Sequence, residues 1–334
     1  MSSGKTRDIS VIIPSPPGVY PAMVLESLRH LKDSVHNIEI FVVEGKQPAR
    51  QRNEAISKAK GEILFFFDDD VTIHPDVVDN MLRHYDDKDV AVVGGPNLTP
   101  ENDSRLQKYF GLVMASKFGC ASMSTRYKQE GEAREGDENS LILCNLSIRR
   151  SVIEKDGAFN EGLWPNEENE LLHRLQTQGW KLIYEPQAVV YHSRRPTLKA
   201  HAKQLFGYGR GRLEQTFIQP SSFSPLFLLP TLFVVYLLLL PFAELLIPVP
   251  EFLRWGFLVP GMSYVGLCLA TAVKSAWDEK DIMSFFWLLL LIPLTHISYG
   301  LGFIYGVYKK LRGGQNKKTT EVYIWKCSLD SEPV

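Results

Sequence analysis

Several clusters in this chain combine residue types and spacings that could do chemistry. The first is Asp68-Asp69-Asp70, placed directly after the apolar run Ile63–Phe67. Three adjacent carboxylates repel one another unless something cationic sits among them, and a divalent ion with oxygen preference, Mg or Mn, is the natural counter-charge. In extended backbone Asp68 and Asp70 point one way and Asp69 the other; an acidic turn leading into the next helix accounts for the same run. The second cluster is Glu167-Glu168, after Trp164-Pro165-Asn166 and before the amphipathic stretch that contains Leu171, Leu172 and Leu175. Asn166 reads as an N-cap, with both acids in the first helical turn, where they complement the helix dipole. A carboxylate held ionised there can also take a proton from an attacking hydroxyl. The third holds Arg210 and Arg212 in the run FGYGRGR, residues 206–212. Glycines at alternate positions let a backbone approach a ligand closely, and paired guanidiniums suit a pyrophosphate; a basic strip against anionic lipid is the other reading. His192, after an apolar run, reads as a strand-end histidine or as a metal or acceptor contact.

The elements that must position these groups alternate. Strands are expected at Ile9–Pro14, Ile38–Glu44, Ile63–Phe67 and Val90–Val93, with helices at Pro21–Val35, Ala49–Lys60 and Asp76–Tyr85. Apolar strands alternating with helices predict an α/β domain with a mainly parallel sheet covered on both faces. Ligands of such sheets bind beyond the carboxyl ends of the strands. Glu44-Gly45, the three aspartates and the run from Gly94 to Asn97 all fall there. The polar stretch Tyr127–Asn139 reads as a solvated loop, or as one that covers an acceptor.

The charge distribution divides the chain. Lys plus Arg is 37 and Asp plus Glu is 38, a net charge of -1 that excludes nucleic-acid binding by bulk charge. Residues 220–308 hold only 8 charged residues. Three apolar stretches, Pro225–Pro248, Phe252–Ala276 and Ser284–Tyr308, are long enough to cross a bilayer as helices. The middle stretch, with an arginine and two glycines in its first half, is the weakest, and the prolines of the first mark it as broken or interfacial. Basic residues precede the first stretch and follow the last, which asks for an even number of crossings. The expected organisation is therefore residues 1–219 as the catalytic domain, with a basic juxtamembrane segment at 192–219, residues 220–308 as a membrane region of two or three helices, and residues 309–334 as a basic tail. The polar start, Met1–Arg7, has no apolar core of a signal peptide, which puts the front domain on the cytoplasmic face. Cys120, Cys144, Cys268 and Cys327 show no zinc-type spacing and read as reduced structural thiols.

In order and spacing these pieces resemble the family-two inverting glycosyltransferases of GT-A fold. ISVIIP matches the family's first strand, FVVEG its VVDDG nucleotide contact, and ARQRNEAISKAKGEILFFFDDDV its helix, strand and DxD metal motif. CNLSIRR with GAFNEGLWPNEENELLHRL matches the acceptor segment and ED motif. The resemblance covers roughly residues 8–215, and the apolar C-terminal part is similar to membrane-bound bacterial enzymes of exopolysaccharide and lipid-linked oligosaccharide assembly. It implies a transfer from a nucleotide-sugar, UDP-linked in the first instance, to a polyprenyl-diphosphate-linked glycan at a bacterial inner membrane, with Mn or Mg as cofactor. The donor contacts it implies are Pro14, Glu44, Asn53, Asp68, Asp69, Arg210 and Arg212. The metal falls to Asp70 with Asp68, and the general base to Glu168 or its neighbour Glu167. Trp164 and Asn145 fall on the acceptor side. Glu44 and Glu168 are each one methylene longer than the family's usual aspartate. Two rival readings are a polyprenyl-phosphate sugar synthase, whose phosphate acceptor needs no base, and a degenerate scaffold or sugar-nucleotide sensor.

Overall fold

The computed structural model describes residues 6–242, 251–313 and 321–327. They form two compact units that do not follow the linear order. The first comprises the chain up to Glu101, Thr125–Ser193 and the returning segment 321–327; the second comprises Asn102–Ser124 and Arg194–Gly314. The linear expectation of a catalytic domain ending at residue 219, followed by a membrane region and a tail, differs from this division.

The strands are β1 (Asp8–Ser15), β2 (Asn37–Glu44), β3 (Ile63–Phe67), β4 (Val71–Ile73), β5 (Val90–Gly94), β6 (Asn97–Leu98), β7 (Arg134–Glu135), β8 (Asn145–Arg149), β9 (Lys181–Tyr184), β10 (Val190–His192) and β11 (Tyr323–Cys327). The large sheet of the first unit runs β11-β2-β1-β3-β8-β5-β9-β7, and a small one runs β4-β10-β6. The expected strands are all present. All five residues of β3 are buried, as a strand covered on both faces requires. Phe65 and Phe67 join the core on one face and Leu64 and Phe66 that on the other. Each such side chain contributes about 2 kcal/mol of burial, and Phe66 meets Phe159 edge-on at 5.4 Å.

The sheet is α/β as expected but mixed rather than mainly parallel. β2, β1 and β3 are parallel neighbours, whereas β8 lies antiparallel between β3 and β5. Strand β11, in the segment expected to be a basic tail, pairs antiparallel with the outer edge of β2 and places Tyr323 opposite Glu44. It thereby covers an edge that would otherwise be open. The helices are shorter than their sequence spacing predicts. Ala22–Leu28 and Val77–Leu82 each pass into a 3-10 turn, and the next helix covers Pro48–Ile56. The glycine at 95 is required by contact: a Cβ there would lie 1.9 Å from the Ala188 carbonyl oxygen.

In the second unit the run containing Arg210 and Arg212 is not a ligand loop. It lies inside the helix Leu198–Ile218, started by the Thr197 side chain, which accepts from the Ala200 N–H at 3.2 Å. Of its glycines, Gly209 serves helix packing. A Cβ on Gly209 would sit 2.0 Å from the Tyr299 carbonyl oxygen, and one on Gly302 equally close to that of Phe206, the close approach that small residues permit between helices. Among the described residues, two helices are long and apolar enough to cross a membrane, Gly256–Asp278 with mean hydropathy 1.6 and Ile282–Leu311 with 1.7. Only 11% and 33% of these windows are buried, which is unlike the core helix of a soluble protein. The stretch from Pro225 breaks into short pieces around the helix Leu229–Leu239, and its end at 243–248 lies outside the described residues. The middle stretch, read as the weakest, is one of the two candidate spans.

Candidate active site

The three aspartates leave β3 in a turn and feed straight into β4. Because the chain turns at this point, Asp68 and Asp70 are not simply aligned along one strand face. They reach a common neighbour instead. Asp70 Oδ1 lies 3.0 Å from His192 Nε2, at the end of β10, which pairs with Val71. Donor atoms of Asp68, Cys144 and His192 all lie within 4.8 Å of one another. Asn97 Nδ2 donates to Cys144 Sγ at 3.1 Å and lies 3.5 Å from His192 Nδ1, so one amide orients both groups. Burial acts to lower the His192 pKa, but hydrogen bonds to Asp70 and Cys144 prevail and push it up to about 10. Burial and the neighbouring Asp70 push Asp69 up to about 6. A carboxylate, imidazole and thiol set within this reach fits a first-row divalent ion, with Asp70 beside it. Cysteine spacing did not reveal this grouping, because Cys144 and His192 are 48 positions apart in sequence and meet only through the fold.

The acidic pair at Glu167-Glu168 begins the helix Glu167–Thr177. Asn166 precedes it, but in left-handed backbone (φ 86°) and without a side-chain capping bond, so the expected N-cap is not formed. The two acids differ in setting. Glu167 is buried, and Arg52 Nη1 reaches its Oε1 at 3.2 Å. Burial first, and Glu168 second, nevertheless push Glu167 up to about 7. Glu168 is the more open, with Arg126 Nη1 at 3.8 Å. Arg52 also donates from Nη2 to Asp68 Oδ1 at 3.0 Å, so one buried guanidinium joins the aspartate run to the acidic helix start. Arg126 anchors the polar stretch Tyr127–Asn139 by donating to the Asn139 and Glu138 carbonyls and to Asn169 Oδ1. That stretch contains β7, at the sheet edge, and so is not merely solvated. Neither arginine was singled out from sequence; Arg52 lies 16 and 115 positions from its two partners.

Glu44 ends β2. Its Oε2 accepts from the Gly18 N–H at 2.9 Å and its Oε1 from Trp325 Nε1 at 3.2 Å. Three expected contacts serve the fold instead. Pro14 is buried within β1 in register with Val43. Asn53 bonds the Phe159 backbone through both amide atoms and reaches Glu161 Oε1. Asn145 is fully buried and donates to the carbonyls of Pro96 and Ala188, which removes it from an acceptor's reach. Trp164 is 58% exposed and so open to a ligand. Arg212 is buried in the second unit, donating to Gln215 and lying over the Phe227 ring at 4.3 Å. Arg210 faces Glu214 at 3.8 Å. Both are thus engaged within their own unit.

Residues 20–157 match the model of glycosyl transferase family 2. The chain carries a glycosyl transferase family 2 domain. This domain includes Glu44, Arg52, the three aspartates and Cys144; Glu167, Glu168, His192 and Trp325 lie beyond the matched residues. Among curated proteins, the chain is similar to the pre-mycofactocin glycosyltransferase of Mycobacterium tuberculosis, 24% identical over 66% of this chain and 50% of that protein. It is also similar to an O-antigen chain rhamnosyltransferase of Salmonella typhimurium, 25% identical over 54% of this chain and 57% of that protein. The chain thus spans about half the length of the curated relatives it matches. Among solved structures it is similar to GalNAc-T7 with UDP, GalNAc and Mn2+, at 14% identity and a TM-score of 0.38, over 63% of this chain and 51% of that one.

Proposed function

We propose that this chain is an inverting glycosyltransferase that moves a sugar from a nucleoside-diphosphate donor to a hydroxyl of a membrane-associated, polyprenyl-linked glycan. The observation that carries the reading is the single guanidinium of Arg52, which holds Asp68 and Glu167 together. It brings the donor-side carboxylates and the acidic helix start into one site. Asp68, Cys144 and His192, with Asp70 beside them, would hold a divalent ion, which would supply charge neutralisation for a leaving diphosphate. Glu168, more open than its neighbour, takes the proton from the acceptor hydroxyl. Glu167, buried against Arg52, keeps the helix start in place. Trp164 offers an exposed ring on which an acceptor sugar can stack.

The membrane setting is supported by the sheet. β1 and β2 precede both candidate spans and β11 follows them, yet all three strands belong to one sheet. Both ends of the apolar segment therefore return to the same side of the bilayer, and two crossings satisfy the basic residues on both flanks. That side is the cytoplasmic one, where nucleotide-sugars are made. The similarity to an O-antigen chain rhamnosyltransferase supports a lipid-linked acceptor in cell-surface polysaccharide synthesis.

The test is nucleoside diphosphate release by the detergent-solubilised full chain, with Mn or Mg, a panel of UDP-, GDP- and dTDP-sugars and a membrane lipid extract. Asp70→Ala and Glu168→Gln are measured beside it. Release that needs metal and lipid, and that is lost in both variants, is the expected result. A product with the sugar on polyprenyl phosphate, formed undiminished by Glu168→Gln, would replace the hydroxyl acceptor by a phosphate. No release with any donor, despite nucleotide binding, would leave a scaffold or sensor.

A further inference from the structure

Beyond both apolar helices the chain comes back to lay β11 along β2, and it does so at the position of Glu44. Three features meet there. The Glu44 carboxylate is held at both oxygens, by the Gly18 N–H and by Trp325 Nε1. The Tyr20 ring lies parallel to that of Trp325, with centroids 6.0 Å apart and planes 7° apart. Tyr20 is 45% exposed, while Trp325 packs against the core beneath the sheet. The loop that carries Gly18 and Tyr20 follows β1 and is tied down by Ser15 Oγ donating to the Val19 carbonyl at 2.6 Å. A fixed carboxylate beside an aromatic ring, at the carboxyl ends of two parallel strands, is the chemistry that recognises a flat ring bearing N–H donors. Each carboxylate oxygen has a second acceptor site in addition to the one already taken.

We infer that Trp325 is a positioning residue for nucleobase recognition. Its indole N–H sets the orientation of the Glu44 carboxylate and its ring backs Tyr20, on whose outer face the base stacks. The C-terminal strand thus completes the donor site of a domain whose family match ends at residue 157. The inference rests on the nucleotide-sugar reading and goes beyond it. It identifies a specificity element after the membrane segment and assigns it a base with an imino N–H, such as uracil, thymine or guanine, over one without.

The experiment measures binding of UDP, GDP, dTDP, CDP and inorganic pyrophosphate, each with Mn, to the full chain in detergent by calorimetry. Trp325→Phe keeps the ring and removes the N–H; Tyr20→Leu removes the stacking face. Loss of a hydrogen bond to a charged group predicts about tenfold weaker binding of the preferred nucleoside diphosphate in Trp325→Phe. The preference over CDP narrows by a similar factor, and pyrophosphate affinity stays within twofold. Tyr20→Leu weakens all the nucleotides but not pyrophosphate. A merely structural role for Trp325 would weaken pyrophosphate equally, and that result overturns the inference, as does unchanged nucleotide affinity in Trp325→Phe. Failure of the wild-type chain to bind any nucleoside diphosphate overturns the functional reading itself, and the inference with it.

Discussion

Glu167 offers a quantitative test of how the acidic helix start is built. Its carboxyl is pushed from 4.5 up to about 7, by burial first and by the Glu168 charge second, against the opposing pull of Arg52. Between those two values the folded protein binds a proton that the unfolded chain has released, so stability falls as pH rises through this window. The stabilisation is complete below about pH 4.5 and gone above about 7. With only 6% of the side chain exposed, solvent screening is small, and a shift of this size corresponds to about 3 kcal/mol. Glu167→Gln removes the titration while keeping an amide oxygen for Arg52. The melting temperature of the variant minus that of wild type, measured in EDTA by tryptophan fluorescence, should therefore climb from pH 5 to pH 8. For a domain of this size the climb is about 6–12 °C. The difference cancels groups that titrate alike in both proteins. A flat difference would refute the reasoning, because it would mean that Arg52 keeps Glu167 ionised throughout.

Other consequences follow from the same contacts. Arg52→Met leaves Asp68 and Glu167 without their shared cation. It should cost about 3–5 kcal/mol of stability, seen as a lowered denaturation midpoint, with loss of transfer activity even where the variant remains folded. In the second unit, Gly209→Ala puts a Cβ 2.0 Å from the Tyr299 carbonyl and should destabilise the helix pair by about 1–3 kcal/mol in detergent. Gly207→Ala, with nothing within 4 Å, should instead be neutral or stabilising by up to about 1 kcal/mol through helix propensity. Equal melting temperatures for the two alanine variants would refute the packing role of Gly209.

The parts of the fold legible in the sequence were those encoded by local pattern. An uninterrupted run such as Ile63–Phe67 shows a strand buried on both faces whatever its partners. Its pairing partner is not local information: Asn145–Arg149 is also buried on both faces, and nothing in such a strand says that it runs antiparallel. The same limit applies at the site. The aspartates and the acidic pair were visible as runs. Arg52, Cys144 and Trp325 were not, because their roles depend on residues tens to hundreds of positions away. Where local pattern misled, tertiary context explains it. The glycines before Arg210 suited a ligand loop, but the run lies within a helix, and at Gly209 a partner helix comes within contact of the backbone.

The charges at the site explain why its pieces depend on one another. Asp68, Asp70, Glu167 and Glu168 face Arg52, Arg126 and His192. Carboxylates outnumber the two guanidiniums here, and His192 would ligate an ion only after giving up its proton, so a divalent ion would relieve the remaining repulsion. A nucleoside diphosphate brings further negative charge, so donor and metal would not bind here as independent ligands. Each lowers the repulsion that the other meets, and Arg52 extends that linkage to the helix that presents Glu168. On this account the chain does not hold a metal site beside a base. Under the proposed function these groups form one electrostatic unit, in which a bound ion would supply charge for the leaving diphosphate and a field that favours proton loss from the acceptor hydroxyl to Glu168.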